Sequence, residues 1–360
     1  MDYKDKDKAM TNQADEKTLL SIAVPAYNAA ATLQACLDSL VADLSAAEMS
    51  SIQVVIIDDG STDNTASIAA RFAAEHPDSV QLLRKPNGGH GSGINAALTC
   101  AHGRYFKVVD ADDWLAPGSL SQLLAALAES CADVVLTEFH TVDASSGQRI
   151  AFTMSGATSG VPLSLEEFWR LGKAARSCLN FHGVCYRTEV LRTSKTVLPE
   201  HISYEDLAYA TVPFRCVQTV LPLRFFLYEY QVGQASQSVS DTNKLKGLGD
   251  LETVLVYIHQ AYSSAVSLTP SQRAYFLANM AELLLDYYTI CLLKNPNRPA
   301  GRQLAKEMRQ RSQALDSDLY RLSQGQYRRL RLLAALGVNA AVLGHLKASP
   351  LYHLLRRLIG

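Results

Sequence analysis

Short unbroken apolar runs alternate with stretches of helical periodicity through the first third of the chain. Leu19-Leu20-Ser21-Ile22-Ala23-Val24-Pro25 predicts a strand stopped by proline, with Ala26-Tyr27-Asn28 as the loop beyond it. Leu33, Cys36, Leu37 and Leu40 share one face of a helix predicted over about 32–44. Val54-Val55-Ile56-Ile57 is continuously apolar, as in a strand covered on both faces, and it ends in Asp58-Asp59-Gly60-Ser61-Thr62-Asp63. Thr62 or Asp63 is placed to cap a helix beginning near Ala66. Val80-Gln81-Leu82-Leu83 is a third strand, running into Lys85-Pro86-Asn87-Gly88-Gly89-His90-Gly91-Ser92-Gly93 and a helix over about 94–101. A fourth strand through Lys107-Val108-Val109 stops at Asp110-Ala111-Asp112-Asp113-Trp114, and Pro117-Gly118 break the structure after it. Strands alternating with helices through short connections predict a doubly wound α/β sheet.

In such a sheet ligands sit beyond the carboxyl ends of the strands, and here each of the four ends carries polar residues. Three carboxylates within four positions repel one another and cost desolvation unless a positive charge joins them. A hard divalent cation, Mg²⁺ or Mn²⁺, is one partner; the other reading is an acidic strand-end turn that caps the next helix. The four glycines before the helix at Ile94 let backbone N–H groups approach a phosphate. Their spacing is neither the dinucleotide fingerprint nor a Walker loop.

Of 360 residues, 48% are hydrophobic and 19% charged, which describes a globular chain of two domains, or of one large domain with an appendage. A net charge of −1 argues against nucleic acid as a partner. That average hides a segregation: Arg321 to Gly360 holds seven Lys/Arg and no Asp or Glu. Seven cysteines without a Cys-x-x-Cys pair read as reduced core thiols of a cytosolic protein and argue against a zinc site. Residues 1–9 resemble an epitope tag and are set aside. Phe276 to Leu293 is the nearest approach to a membrane span, broken by Glu282 and Asp286.

Val24-Pro25-Ala26-Tyr27-Asn28, Ile57-Asp58-Asp59-Gly60-Ser61-Thr62-Asp63, Asn87-Gly88-Gly89 and Asp110-Ala111-Asp112-Asp113, in that order over about 19–128, resemble the serial motifs of family-2 glycosyltransferases with the GT-A fold. The resemblance implies a Rossmann-like mixed sheet and a nucleotide-sugar site of Pro25, Ala26, Tyr27, Asn28, Asp58, Asp59, Lys85, Asn87, Gly88, Gly89, Asp110, Ala111 and Asp112. It implies a UDP-sugar donor and Mn²⁺ or Mg²⁺ on Asp112 and Asp110, with Asp113 as an accessory carboxylate. Many members carry Ala-Arg-Asn after the glycine loop; this chain has Gly91-Ser92-Gly93-Ile94-Asn95, leaving His90 and Ser92 as replacements for the cationic contact. His201-Ile202-Ser203-Tyr204-Glu205-Asp206 resembles the family's Glu-Asp motif, making Asp206 the base for the acceptor hydroxyl and Glu205 its orienting neighbour; the other reading is two acids complementing a helix dipole.

Phe181 to Leu191 resembles the segment entering the acceptor side of bacterial polysaccharide transferases, which puts His182 and Arg187 at acceptor or pyrophosphate. Tyr230 to Ser240 resembles the end of the catalytic domain, a flap with Gln237 and Ser238 as contacts. Trp114 and Trp169 are the only tryptophans, so the Gln-x-x-Arg-Trp signature of processive synthases is absent and one sugar per acceptor visit is expected.

Helical periodicity replaces strand signals after Ser240, with a helix start at Thr269-Pro270. The resulting division is a catalytic domain over 10–240 (halves 10–128 and 129–240), a helical domain over 241–320, and a basic, leucine-rich tail over 321–360. The tail has the composition of a helix lying in an anionic membrane surface, or of a basic cap packed on the domain or on a second subunit, and it leaves a homo-oligomer open. The expected protein is an inverting, metal-dependent transferase acting on a lipid-linked or growing surface saccharide at the inner face of the plasma membrane. The alternative is a non-catalytic sugar-nucleotide-binding or membrane scaffold. A nucleotidyltransferase would carry a Gly-rich signature near the first strand, where this chain has Pro25-Ala26-Tyr27-Asn28.

Overall fold

A computed structural model describes residues 18–233, 245–339 and 342. The chain divides into two compact units, Met1–Gln234 and Ala235–Gly360. The first is built on one sheet, of ten strands among the described residues. They are β1 (Leu20–Ala26), β2 (Ile52–Asp58), β3 (Val80–Arg84), β4 (Tyr105–Val108), β5 (Trp114–Leu115), β6 (Val134–Asp143), β7 (Arg149–Phe152), β8 (Leu163–Ser164), β9 (Val184–Arg187) and β10 (Thr219–Val232). The spatial order is β3-β2-β1-β4-β9-β6-β10-β5, with β7 beside β6 and β8 beside β10. All seven residues of β1 and of β2 are buried, which is why both read as continuous apolar runs.

β1 to β4 pair in parallel, β9 runs antiparallel to both β4 and β6, and β6 pairs in parallel with β10. A single reversed strand therefore leaves β6 and β10 pointing the same way as β1 to β4, so their carboxyl ends share one edge. The chain from Val108 to Trp114 must pass from β4 to β5, four strand spacings away, or about 19 Å in a flat sheet. That segment contains a turn, in which Asp113 N–H donates to Asp110 O at 3.0 Å, and so is too short to cross a flat sheet. The sheet curls, and irregularities in β10 between Leu223 and Phe226 and between Phe226 and Tyr228 supply the bend. Asp110 to Asp113 are thus carried over the end of the sheet.

Helices Leu33–Ser39, Thr65–Glu75, His90–Cys100 and Ser119–Glu129 pack on the strands. The single helix expected over about 32–44 ends at Ser39, and one further turn, Ala46–Met49, starts at a capping box made by Ser45 and Glu48. The helix expected from about 94 begins four residues earlier, at His90, which turns out to matter for the site. Cys36, Cys178, Cys185 and Cys291 are buried thiols, Cys131 is exposed, and none of the seven is in a disulfide.

The second unit is helical: Leu248–Ser263, Pro270–Thr289 continuing as a wider turn to Lys294, Arg298–Leu315 and Ser317–Ala335. Thr269 caps the second of these in a box with Gln272. Pro270–Lys294 is long and apolar enough to cross a membrane by length and composition, yet 67% of its apolar stretch is buried, as in a core helix.

Candidate active site

The loops after β1 and β2 are knitted together. Asn28, at φ +49°, accepts from Thr62 N–H through its side chain at 2.8 Å, and its own N–H donates to Ser61 Oγ at 3.1 Å. This leaves the Tyr27 ring 53% exposed at the rim. Asp58 accepts from Ser61 N–H and pairs with Arg84. Asp59 is nearly buried and takes Lys85 Nζ at 2.6 Å together with the N–H groups of Gly88 (3.0 Å) and Gly89 (2.8 Å). Asn87 Nδ2 adds a bond to Asp59 O at 3.0 Å. These two glycine amides, open to a phosphate on the sequence pattern, are therefore spent on holding the Asp59 carboxylate. Gly60 is required where these loops meet: it has φ +77°, and a Cβ there would stand 2.8 Å from Asn87 N.

The end of β4 forms the centre. Asp110 N–H donates to Tyr228 Oη at 3.0 Å, and Tyr228 Oη–H donates to Asp113 Oδ2 at 2.7 Å. Gln231 N–H occupies Asp113 Oδ1 at 2.7 Å. Burial, then the charges of Asp110 and Asp112, push Asp113 well above the usual carboxylate range. Beneath them Lys107, 1% exposed, donates to His182 O (2.8 Å) and Val184 O (3.3 Å), and burial lowers its pKa to about 8. His182 stacks on Tyr230 with ring centroids 4.0 Å apart, and burial lowers its pKa to about 4, keeping the ring neutral. Tyr228 carried no signal as a site residue, because only the return of β10 beside β6 brings it to this edge, and Tyr230, named at the start of the expected flap, stands here within β10.

Asp110, Asp113 and His182 each offer one ligand atom, and these atoms lie within 4.8 Å of one another. The carboxylate oxygens suit Mg²⁺ or Mn²⁺, and a neutral imidazole favours Mn²⁺ of the two, so the residues present fit a divalent cation. Half-buried Asp112, named by the sequence pattern beside Asp110, lies outside this set of three, whereas Asp113 and His182 lie inside it.

His90 opens the helix after the glycine loop and joins the centre to the second acidic motif. Its Nε2 is 2.8 Å from Asp110 Oδ1 and its Nδ1 is 2.7 Å from Glu205 Oε1. Burial opposes a charged ring, but the Asp110 charge and the hydrogen bonds to Asp110 and Glu205 outweigh it and hold His90 well above its ordinary 6.5. On Asp110 burial is likewise outweighed, by the His90 charge and hydrogen bond, so its pKa falls. Glu205 begins the helix Glu205–Thr211, after Tyr204 at φ +69°. Burial, then the charge of Glu205, pushes Asp206 up to about 7.

The segment before this helix is zipped to the glycine loop. Asn95 exchanges two hydrogen bonds with the Leu198 backbone (2.9 and 2.8 Å), and His201 N–H donates to Gly88 O at 2.7 Å. Residues separated by more than a hundred positions thus face one another across a single cleft edge.

Arg187 requires a correction. It pairs with Tyr105, at the start of β4, and its guanidinium holds Asp133 at 2.6 Å on the opposite edge of the sheet. Because β9 is antiparallel, His182 precedes it at the site edge and Arg187 ends it at the far one, so Arg187 does not reach acceptor or pyrophosphate. Gln237 and Ser238 lie outside the described residues.

A curled mixed sheet with acids at the carboxyl edge defines a GT-A glycosyltransferase fold. Residues 21–190, a little under half of the chain, match the family model "Glycosyl transferase family 2". Chondroitin synthase of Pasteurella multocida (strain Pm70) is 39% identical over 106 residues, 29% of this chain and 10% of that one. The uncharacterized glycosyltransferase YibD of Escherichia coli (strain K12) is 36% identical over 115 residues, 32% of each chain. The chain thus spans a third or less of the length of these curated relatives. The crystal structure of S. aureus TarS 1–349 in complex with UDP-GlcNAc shares the fold, with TM-score 0.67 at 20% identity over 89% of this chain and 93% of that one.

Proposed function

We propose that this chain transfers one sugar from a UDP-sugar to a hydroxyl of a lipid-linked or growing saccharide, with inversion at the anomeric carbon. The observation that supports it most is the joining of Asp110 to Glu205 through His90, which sets the donor-side acid and the Glu-Asp pair on one cleft edge. Tyr27 and the loop of Asp59, Lys85 and Asn87 hold the nucleotide. Asp206 takes the proton from the acceptor hydroxyl as that oxygen attacks, and a pKa of about 7 suits a base working near neutral pH. Inversion follows because the base and the leaving diphosphate lie on opposite faces of the sugar. A divalent cation, Mn²⁺ or Mg²⁺, held by Asp110 and Asp112 with Asp113 and His182 close by, would take up charge developing on the diphosphate. The UDP-GlcNAc bound by TarS, a protein of the same fold, supports a UDP-linked donor.

The test is UDP release with Mn²⁺ across a panel of UDP-sugars, with and without a membrane extract as acceptor source. Asp206→Asn and Asp112→Ala are each expected to slow release by about 10²–10⁴-fold. Unchanged turnover in both rejects the mechanism, and UDP binding without turnover for any donor favours the non-catalytic reading.

A further inference from the structure

Glu205 is 6% exposed, and among the described residues its Oε2 has no hydrogen-bond partner, so the bond from His90 is the one that fixes its carboxylate. A buried carboxylate with no hydrogen bond is strongly disfavoured, so without His90 the start of the helix Glu205–Thr211 has to shift. The other ring nitrogen fixes Asp110 Oδ1, the first acid of the donor-side motif. Phe181 packs against the imidazole with ring centroids 5.6 Å apart and limits its rotation. Gly91, next along the chain, lets this happen at close range: a Cβ there would stand 2.6 Å from Pro199 O and 3.1 Å from Glu205 Cγ.

We propose that His90 is a positioning residue that locks the donor-side acid and the acceptor-side Glu-Asp pair in one arrangement, each ring nitrogen governing a separate half of the reaction. Nε2 orients Asp110 and so sets the affinity for nucleotide and cation. Nδ1 orients Glu205 and, through it, the neighbouring base Asp206, and so sets turnover. A rigid planar ring with two opposed nitrogens spans the two carboxylates; a single amide reaches one or the other. This inference rests on the transferase reading above.

Three variants separate the two ends. In His90→Gln the amide nitrogen falls near the place of Nε2, in His90→Asn near that of Nδ1, and His90→Ala removes both. The readouts are the Kd of UDP with Mn²⁺ by calorimetry, kcat for UDP release from the donor the wild type uses, and hydrogen–deuterium exchange over 198–211. His90→Gln is expected to keep the UDP·Mn²⁺ affinity within about threefold while kcat falls about tenfold or more and 198–211 exchanges faster. His90→Asn is expected to do the converse, and His90→Ala to lose on both counts. Equal effects of all three variants on affinity and turnover, a reversal of Gln and Asn, or wild-type behaviour of His90→Ala overturns the proposal. If the wild type turns over no donor, the transferase reading fails, and the contrast between Gln and Asn in affinity and exchange still decides the role of His90.

Discussion

Asp206 sits in surroundings that fix the pH at which it can accept a proton. Its carboxyl must be ionised to act as base, and its pKa of about 7 is raised first by burial. The kcat/KM for acceptor is therefore expected to fall about tenfold per unit as pH drops below 7, and a flat profile down to pH 5 would remove Asp206 from the role. The same shift carries a stability cost. A carboxyl whose folded pKa lies above its unfolded value of about 3.9 loses stability as pH rises between the two. Asp206→Asn should thus melt higher than the wild type at pH 8, with the gap closing toward pH 4, while turnover is lost; equal melting at both ends contradicts the shift. Arg187 makes the opposite kind of prediction. It is 40% exposed at the side chain and bound at the far edge to Asp133, which is 8% exposed there, so Arg187→Ala should leave UDP release unchanged while costing about 1–3 kcal/mol in a melting experiment.

At the scale of elements, the site depends on two segments pressed together, the glycine loop with its helix His90–Cys100 and the stretch 198–205. Gly91 lies at their closest approach, and Gly91→Ala must push Pro199 O and Glu205 apart. It is expected to destabilise the protein by about 1–3 kcal/mol and to lower turnover more than UDP affinity, both measurable on one preparation. The runs of β1 and β2 and the polar residues that follow them were readable because a strand buried on both faces leaves a continuous apolar signature and its end must turn polar. β3, half exposed at the sheet margin, was marked by its short apolar run and the glycine loop after it. β5, β7 and β8 were not readable, since two to four residues paired at a sheet margin carry no periodicity of their own. Nor was the reversal of β9 legible. Strand direction depends on which neighbour accepts the backbone hydrogen bonds, and that reversal decides why His182 reaches the site and Arg187 does not.

For the whole molecule, the expected basic tail is described as far as the helix Ser317–Ala335 and a few residues beyond. There Leu322, Leu332 and Leu336 are exposed among Arg321, Arg328, Arg329 and Arg331. Together with the absence of acids from Arg321 onward, this supports a proposed anionic membrane surface as partner. The full chain is expected to float with phosphatidylserine-containing vesicles at low salt, to release them at about 0.5 M salt, and to ignore neutral vesicles. Equal flotation with neutral lipid, or none with either, would leave the helix as a cap of the second unit.

The residue types and their order along the chain already determined a parallel-rich α/β sheet, a nucleotide-type edge and two acidic motifs, because strand burial, turns and clustered charge each leave a local mark. Only the tertiary structure decided how those motifs meet. A hydrogen bond such as His90 to Glu205 spans 115 positions, and nothing local in either segment records the other. The curl of β10, the reversed strand and the closeness allowed by Gly91 had to be in place before one imidazole could touch both acids.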